Sequence, residues 1–287
     1  LLQTLIEIKP VENLNATVTV PGSKSYTNRA LLIAGLTDGE CRLEKPLVSD
    51  DTKYMIQALQ TFGVPVQEEE GAFIVSGKGG KLCAPEKDIF IGNAGTAMRF
   101  LTTFSTLAPG KIRLDGDERM RERPLADLLD CLTQMGVHAV SVNNSGCPPI
   151  HISGGEVPGG DIQLAGDKSS QYLTSILLSA PYFKDDTCIH IQGDLTSKSY
   201  ADITLDIMKT FGVHVDNESY QRFKVKAGDY YKAQTYQVES DWSSASYFLA
   251  AAAVTGGEVT LTDINPHSVQ GDAQFTSVLE KKGCRVE

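Results

Sequence analysis

The chain has 287 residues, 41% of them hydrophobic, which is enough apolar material for one large core or two modest ones. Its formal net charge of -10 argues against nucleic acid and acidic membranes as partners, because both favour a basic protein surface. The apolar stretch at residues 1–8 is too short for a signal peptide, and no stretch is long and apolar enough to span a membrane, so we expect a cytoplasmic protein.

One type of predicted helix is apolar or small on nearly all sides. It first occurs at residues 30–36 and recurs at 97–108, 171–180 and 245–254. Such helices must be buried on every side. Each is preceded by a cluster of residues typical of helix N-caps, namely Ser23, Lys24 and Ser25; Asn93, Gly95 and Thr96; Ser169 and Ser170; Ser243 and Ser244.

A second, amphipathic helix alternates with the first, and before Gly63, Gly136 and Gly212 its apolar residues fall at helical spacing. It ends each time at a glycine that is followed by a strand-like segment, at Gly63, Gly136, Gly212 and Gly283. Glycine after a helix supplies the left-handed turn that leads directly into a strand. The chain is therefore a repeat of two helices separated by short β segments.

This repeat predicts an α/β fold with helices as the innermost layer. Three units, from about residue 22 to 239, can close around a pseudo-threefold axis into one complete domain. The fourth unit, 240–287, is left without partners and would form part of a second domain with residues 1–21. Because one unit cannot bury helix 245–254 alone, we expect more chain to follow residue 287.

The segment SKSYTNR at residues 23–29 is the strongest local signal. It brings two cations, Lys24 and Arg29, together with hydroxyl and amide donors to one helix N-terminus, where an anion is stabilised. An ordinary serine N-cap beside a solvated lysine is the alternative. The segment IGNAGTAMR at residues 91–99 occupies the equivalent position in the next repeat, and its glycines let backbone N–H groups approach a ligand.

Two further segments carry donors for anions. Residues 116–124, GDERMRERP, place Arg119, Arg121 and Arg123 ahead of a helix predicted to start at Pro124; they form either a solvated surface or a clamp for carboxylate or phosphate. The third unit contributes neutral donors that bind phosphate and sugar-like hydroxyls, in GDKSSQYLTS at 166–175 and GDLTSKSY at 193–200.

Other chemistries lack support in the sequence. The five histidines and six cysteines have no metal-ligand or redox-pair spacing, and neither a Walker pattern nor a serine nucleophile elbow occurs. A kinase or a hydrolase is therefore a poor interpretation.

Together these segments resemble the 5-enolpyruvylshikimate-3-phosphate synthases, through PGSKS..NRA, GNAGTAMR, R.ERP, SSQ.LT, GDL.SK.Y and SSASYFLAAAA in that order. The resemblance covers essentially the whole chain. It implies the enolpyruvyl transferase fold, an inside-out α/β barrel of βαβαββ repeats, with one complete domain and part of a second. It also implies transfer of the enolpyruvyl group of phosphoenolpyruvate to the 5-hydroxyl of shikimate 3-phosphate, with release of phosphate and without metal or organic cofactor.

The resemblance also assigns roles. Phosphoenolpyruvate would be held by Lys24, Gly95, Arg123 and Gln171. Shikimate 3-phosphate would be held by Ser25, Arg29, Ser169, Ser170, Ser197 and Tyr200. Asn93 and Thr96 complete the expected substrate-binding set, and Lys24 is also the expected catalytic residue, a point cation that follows the phosphate as it leaves.

Some family features are missing or altered. The family's proton-transfer carboxylates have no counterpart before Glu287, so we expect this polypeptide alone to bind shikimate 3-phosphate weakly without turnover. The resemblance also implies that the full-length protein is a monomer. Phe100 stands where the family usually has proline, which predicts reduced sensitivity to glyphosate.

Two alternative functions are left open. One is that of the sister enzyme that uses UDP-N-acetylglucosamine, although its typical reactive cysteine is absent between Lys111 and Arg123. The other is that of a non-catalytic phosphate-binding half-enzyme.

Overall fold

The computed structural model describes residue 9 and residues 11–287, so the apolar stretch at residues 1–8 lies outside the described residues. Its helices are α1 (Lys24–Leu36), α2 (Asp50–Thr61), α3 (Gly95–Phe104), α4 (Ala126–Gln134), α5 (Ser170–Ser179), α6 (Lys198–Thr210), α7 (Trp242–Thr255) and α8 (Phe275–Lys281). Among the described residues, no helix has the length and apolar character needed to cross a membrane.

The strands are short. They are β1 (Asn15–Thr19), β2 (Glu40–Glu44), β3 (Val66–Glu69), β4 (Ala72–Ser76), β5 (Ile89–Phe90), β6 (Gly110–Asp115), β7 (Ala139–Ser141), β8 (Ile150–Gly154), β9 (Gly160–Ala165), β10 (Thr187–Gln192), β11 (Val215–Glu218), β12 (Arg222–Val225), β13 (Thr235–Gln237) and β14 (Glu258–Thr262). Contacts divide the chain into two compact units, Gly22–Val238 and the segment up to Pro21 together with Glu239–Glu287.

Three four-stranded sheets of the larger unit have the same plan. Their orders are β13-β2-β4-β3, β5-β6-β8-β7 and β9-β10-β12-β11. In each sheet, the first strand of this order runs parallel to the second. The other neighbouring strands pair antiparallel. The parallel edge strand always comes from the end of the preceding repeat, and β13, from the third repeat, joins the sheet of the first. This cyclic exchange links the three repeats.

Helices α1, α3 and α5 form the centre of the larger unit. Nearly all of their residues are buried, as their apolar sequences predict. Contacts join equivalent positions along the helices: Arg29 stacks on Phe100 and donates to Thr174, and Thr103 hydrogen-bonds Ser175 at 2.6 Å. The three helices therefore run parallel, with their N-termini at one end of the unit.

The predicted glycine stops are confirmed at all four amphipathic helices. Gly63, Gly136, Gly212 and Gly283 have φ between +80° and +92°. At each one the glycine N–H and the next N–H donate back into the last helical turn, as Gly63 does to Gln60 at 3.0 Å and Val64 does to Leu59 at 3.0 Å. This is the Schellman arrangement, which satisfies helix-end carbonyls that would otherwise lack donors.

Several predicted helix boundaries are wrong. Helix α4 begins at Ala126 rather than at Pro124, and the stretch predicted as helix 97–108 leaves α-helical geometry after Phe104. The N-cap of α7 is Asp241, whose carboxylate accepts the Ser244 N–H at 2.9 Å, rather than Ser243 or Ser244. A carboxylate just upstream accepts the first free N–H groups and so starts the helix earlier.

Helix α7 of the smaller unit is not buried on every side. Its buried residues are Trp242 and Ala245, whereas Tyr247 is 78% exposed and Val254 84% exposed. The elements packed most closely on it within this unit are β14, α8 and the short turn before α8, and Val18 of β1 packs against its buried residues. One repeat thus covers only one face of this apolar helix. The helix is therefore less buried than its apolar sequence alone predicts.

Candidate anion-binding site

The N-terminus of α1 carries the first candidate residues. Lys24 is exposed, Ser25 is half-buried, and the N-cap residue Ser23 makes no side-chain capping bond. The buried Ser23 Oγ has no hydrogen-bond partner among the described residues. An uncapped helix start with an exposed lysine leaves N–H groups and a cation available to an anion. Ser23 thus occupies the N-cap position, as the sequence predicts, but its side chain does not cap the helix.

The N-terminus of α3 is also uncapped by a side chain, since its N-cap is Ala94 and not Asn93, Gly95 or Thr96. Asn93 is exposed, Gly95 is buried and Thr96 is half-buried. A Cβ at Gly95 would lie closer than 3.0 Å to guanidinium nitrogens of both Arg123 and Arg99. The absence of a side chain therefore lets two arginines approach the helix start.

The three arginines of the segment before α4 have different environments. Arg121 donates from Nε and Nη2 to the two carboxylate oxygens of Asp115 at 2.9 and 2.8 Å, so its role is structural. Arg119 and Arg123 have no carboxylate within ion-pair distance in the part of the chain that the structure describes. Of the predicted clamp, Arg123 alone reaches Gly95.

Asp115 at the end of β6 shapes the loop that carries Arg123. Its carboxylate also accepts the Gly116 N–H at 2.8 Å. Burial alone would raise the pKa of Asp115, but hydrogen bonds from Arg121 and Gly116 outweigh it and hold the pKa below its ordinary value. The carboxylate is thus ionised at neutral pH and fixes the loop. A second contact comes from α5, where the Tyr172 hydroxyl donates to the Pro124 carbonyl at 2.7 Å.

Helix α5 provides the third N-terminus. Ser169 is its N-cap and accepts the Gln171 N–H at 3.2 Å, as expected from the sequence. Ser170 is buried, and Gln171 is half-buried. The Gln171 side chain donates to the Thr96 hydroxyl at 3.4 Å, which joins the starts of α5 and α3.

Ser197 and Tyr200 are both exposed at the start of α6. Ser197 adopts a left-handed conformation, with φ 54° and ψ 49°, which is uncommon for a residue other than glycine. The Tyr200 carbonyl accepts from Arg29 Nη2 at 3.1 Å, so the backbone of α6 is tied to α1.

Arg29 lies deeper than the sequence predicts. It is 1% exposed, and four of its hydrogen bonds go to Thr204, Thr174 and the carbonyls of Ser25 and Tyr200. Burial lowers the pKa of Arg29 to about 10. The guanidinium mainly braces α1, α5 and α6, with four of its five N–H groups hydrogen-bonded within the protein.

Arg99 is a site residue that the sequence analysis did not include in its substrate-binding set. Its Nη1 donates to the Gly95 carbonyl at 2.9 Å, its guanidinium lies 5.9 Å from the Tyr172 ring centre, and its buried Nε has no partner among the described residues. The one available signal was its place in IGNAGTAMR, one turn after the glycine.

The larger unit is thus an α/β domain in which parallel helix N-termini lie beside cations without carboxylate partners among the described residues, an arrangement that suits an anionic ligand. The family model for EPSP synthase (3-phosphoshikimate 1-carboxyvinyltransferase) matches residues 8–287. The chain belongs to the EPSP synthase family.

Relatives and solved structures agree. The chain is 48% identical over 286 residues to the 3-phosphoshikimate 1-carboxyvinyltransferase of Sulfurovum sp. (strain NBC37-1), covering 98% of this chain and 67% of the relative. It is 47% identical over 285 residues to that of Yersinia pestis bv. Antiqua (strain Angola), covering 98% and 66%. EPSP synthase from Acinetobacter baumannii superposes with a TM-score of 0.79 at 27% identity, over 89% of this chain and 57% of that one. The chain thus spans about two thirds of the length of these curated relatives.

Proposed function

We propose that this chain provides the anion-binding part of a 3-phosphoshikimate 1-carboxyvinyltransferase. The reaction adds the 5-hydroxyl oxygen of shikimate 3-phosphate to C2 of phosphoenolpyruvate while C3 gains a proton. Elimination then breaks the C2–O bond to phosphate, and C3 returns a proton. The observation that supports this function is the set of three parallel helix N-termini beside Lys24, Arg99 and Arg123, none of which has a carboxylate partner among the described residues.

The residues divide between the two substrates by their chemistry. Lys24, Gly95, Arg123 and Gln171 are proposed to bind phosphoenolpyruvate, since Arg123 offers a planar fork and Lys24 a point charge for its carboxylate and phosphate. Shikimate 3-phosphate is proposed to bind to Ser25, Arg29, Ser169, Ser170, Ser197 and Tyr200. Asn93 and Thr96 are proposed to support substrate binding at the start of α3. Two anionic substrates repel each other, so neutralising both side by side supports proximity catalysis.

The test of this assignment is calorimetric titration of the 287-residue chain with shikimate 3-phosphate and with shikimate. Ser170→Ala is expected to weaken binding of the phosphate ester by about tenfold, the value of one hydrogen bond to a charged group, and to leave shikimate unaffected. Ser179→Ala is the matched control, because Ser179 is buried at the other end of α5 and its Oγ has no partner among the described residues.

An equal loss for shikimate and its phosphate ester in Ser170→Ala would contradict the proposed phosphate contact. Binding of UDP-N-acetylglucosamine in place of shikimate 3-phosphate would instead favour the sister enolpyruvyl transferase. The similarity to the two curated 3-phosphoshikimate 1-carboxyvinyltransferases supports the first substrate.

We further propose that glyphosate inhibits this enzyme weakly, because of Phe100. The Phe100 side chain is fully buried, and its ring lies 5.2 Å from the guanidinium carbon of Arg29. In a regular helix the N–H of residue 100 donates to the carbonyl of Thr96, a bond that proline would remove. Phe100→Pro should therefore loosen the α3 start and strengthen glyphosate inhibition of the full-length enzyme. Equal inhibition constants for both proteins would contradict the proposal.

A further inference from the structure

The outer face of the third sheet brings together three potential metal ligands that lie outside the candidate anion site. Cys188 and His190 are two residues apart on β10, so their side chains share a face. Strand β9 runs parallel beside it, with Asp161 opposite Cys188 in the register. Sequence spacing alone does not indicate this cluster, because the third member comes from a neighbouring strand.

The distances suit a tetrahedral metal ion. His190 Nε2 lies 2.9 Å from Asp161 Oδ1 and 3.5 Å from Cys188 Sγ, and the three candidate ligand atoms lie within 4.8 Å of one another. Zinc bonds of about 2.3 Å to sulfur and 2.0 Å to nitrogen, at tetrahedral angles, separate the two ligands by roughly 3.5 Å. The cysteine–histidine pair already has this separation, and the histidine–aspartate distance is only a few tenths of an ångström shorter than zinc geometry requires.

The surroundings leave the cluster open to an ion from solvent. The Asp161 side chain is exposed, and Cys188 and His190 are partly exposed. Two cations on the opposing strand β12 share this sheet face, but each already has a carboxylate partner: Arg222 pairs with Glu218, and Lys224 pairs with Asp186 at 3.3 Å. Their charges are therefore largely balanced locally.

We propose that Asp161, Cys188 and His190 form a surface site for a borderline-soft divalent ion, best matched by Zn²⁺, with one coordination position open to water. Thiolate and imidazole select zinc over magnesium or calcium, which prefer oxygen ligands alone. The ion would cross-link β9 and β10. These strands lead directly into the starts of α5 and α6, so the ion stabilises the framework of the third repeat.

Zinc binding to the 287-residue chain, measured by equilibrium dialysis, tests the proposal. We expect one site to be lost in Cys188→Ser and in His190→Gln, and a zinc-dependent rise in Tm to disappear with it. His214→Gln is the matched control, because His214 Nε2 lies 3.3 Å from Asp216 Oδ1 by the same sheet without a third ligand among the described residues. It should keep both the site and the shift.

Cobalt provides a second, spectroscopic measurement. Co²⁺ bound at this site should give the charge-transfer absorption of a metal–thiolate bond in the wild-type chain, absent from Cys188→Ser. Each of two results would overturn the proposal: no thiolate band with wild-type protein, or an unchanged number of zinc sites and an unchanged Tm shift in Cys188→Ser. Because Cys188→Ser keeps the other five cysteines, loss of the band in that variant identifies the ligand.

Discussion

Arg29→Ala is expected to be about 2–5 kcal/mol less stable to unfolding than Arg29→Met, because alanine leaves a cavity among α1, α5 and α6 that methionine fills. Arg29→Met should match the wild-type free energy of unfolding or exceed it. The wild-type guanidinium is 1% exposed, has no carboxylate partner among the described residues, and has its pKa lowered by burial to about 10. Burying its charge therefore costs stability.

The sign of this cost follows from linkage. A base whose folded pKa is lowered is penalised at all pH values below that pKa, and the penalty shrinks as the pH rises through about 10. Both variants lack the guanidinium, so both should lose affinity for shikimate 3-phosphate to a similar extent.

Denaturant unfolding at neutral pH and calorimetric titration separate these two effects. The hydroxyls of Thr174 and Thr204 already lie 2.8 Å apart and can satisfy each other once the guanidinium is gone. If Arg29→Met proves as unstable as Arg29→Ala, the hydrogen bonds of Arg29, and not its volume, stabilise the fold. Arg42→Gln is a control, because Arg42 is a half-exposed arginine paired with Glu69 and should leave the free energy of unfolding nearly unchanged.

Gly95→Ala is expected to weaken phosphoenolpyruvate binding at least about tenfold, through loss of one charged contact, while leaving Tm nearly unchanged. The new Cβ would come closer than 3.0 Å to guanidinium nitrogens of Arg123 and Arg99. Both groups end flexible side chains, so they can move away without disturbing the backbone, but they then leave the position where an anion meets the start of α3.

Gly77→Ala should behave in the opposite way. A Cβ at Gly77 would meet the carbonyl oxygens of Thr37 and Ala34 at less than 3.0 Å, and these backbone atoms cannot move freely. Thermal unfolding and titration with phosphoenolpyruvate, in the presence of saturating shikimate 3-phosphate, distinguish the two variants. Equal affinity in Gly95→Ala and the wild type would mean that Arg123 does not bind phosphoenolpyruvate.

Local patterns predicted the regular parts of the fold. Helical spacing before Gly63, Gly136 and Gly212 was enough to predict helices that end in a left-handed glycine, since both features lie within one short segment. Helix starts were harder. The N-cap of α7 is Asp241 rather than Ser243 or Ser244, because the Asp241 carboxylate accepts the Ser244 N–H at 2.9 Å.

The site was predictable in its composition but not in its contacts. Three arginines before α4 look alike in sequence, and only the position of Asp115 in the folded chain makes Arg121 structural and leaves Arg123 free for a ligand. The depth of Arg29 likewise depends on threonines from α5 and α6, far away in sequence. Long-range partners of this kind leave no periodic signal.

The parallel alignment of α1, α3 and α5 has an electrical consequence for the whole larger unit. Each helix carries about half a positive charge at its start and half a negative charge at its end, so three of them side by side produce a field directed along their common axis. At the far end, the Tyr182 hydroxyl donates to the Leu36 carbonyl at 2.5 Å and the Tyr231 hydroxyl to the Leu178 carbonyl at 3.0 Å. In a chain with a net charge of -10, we expect an approaching dianion to be repelled from most directions and attracted along this axis, toward the face bearing Lys24.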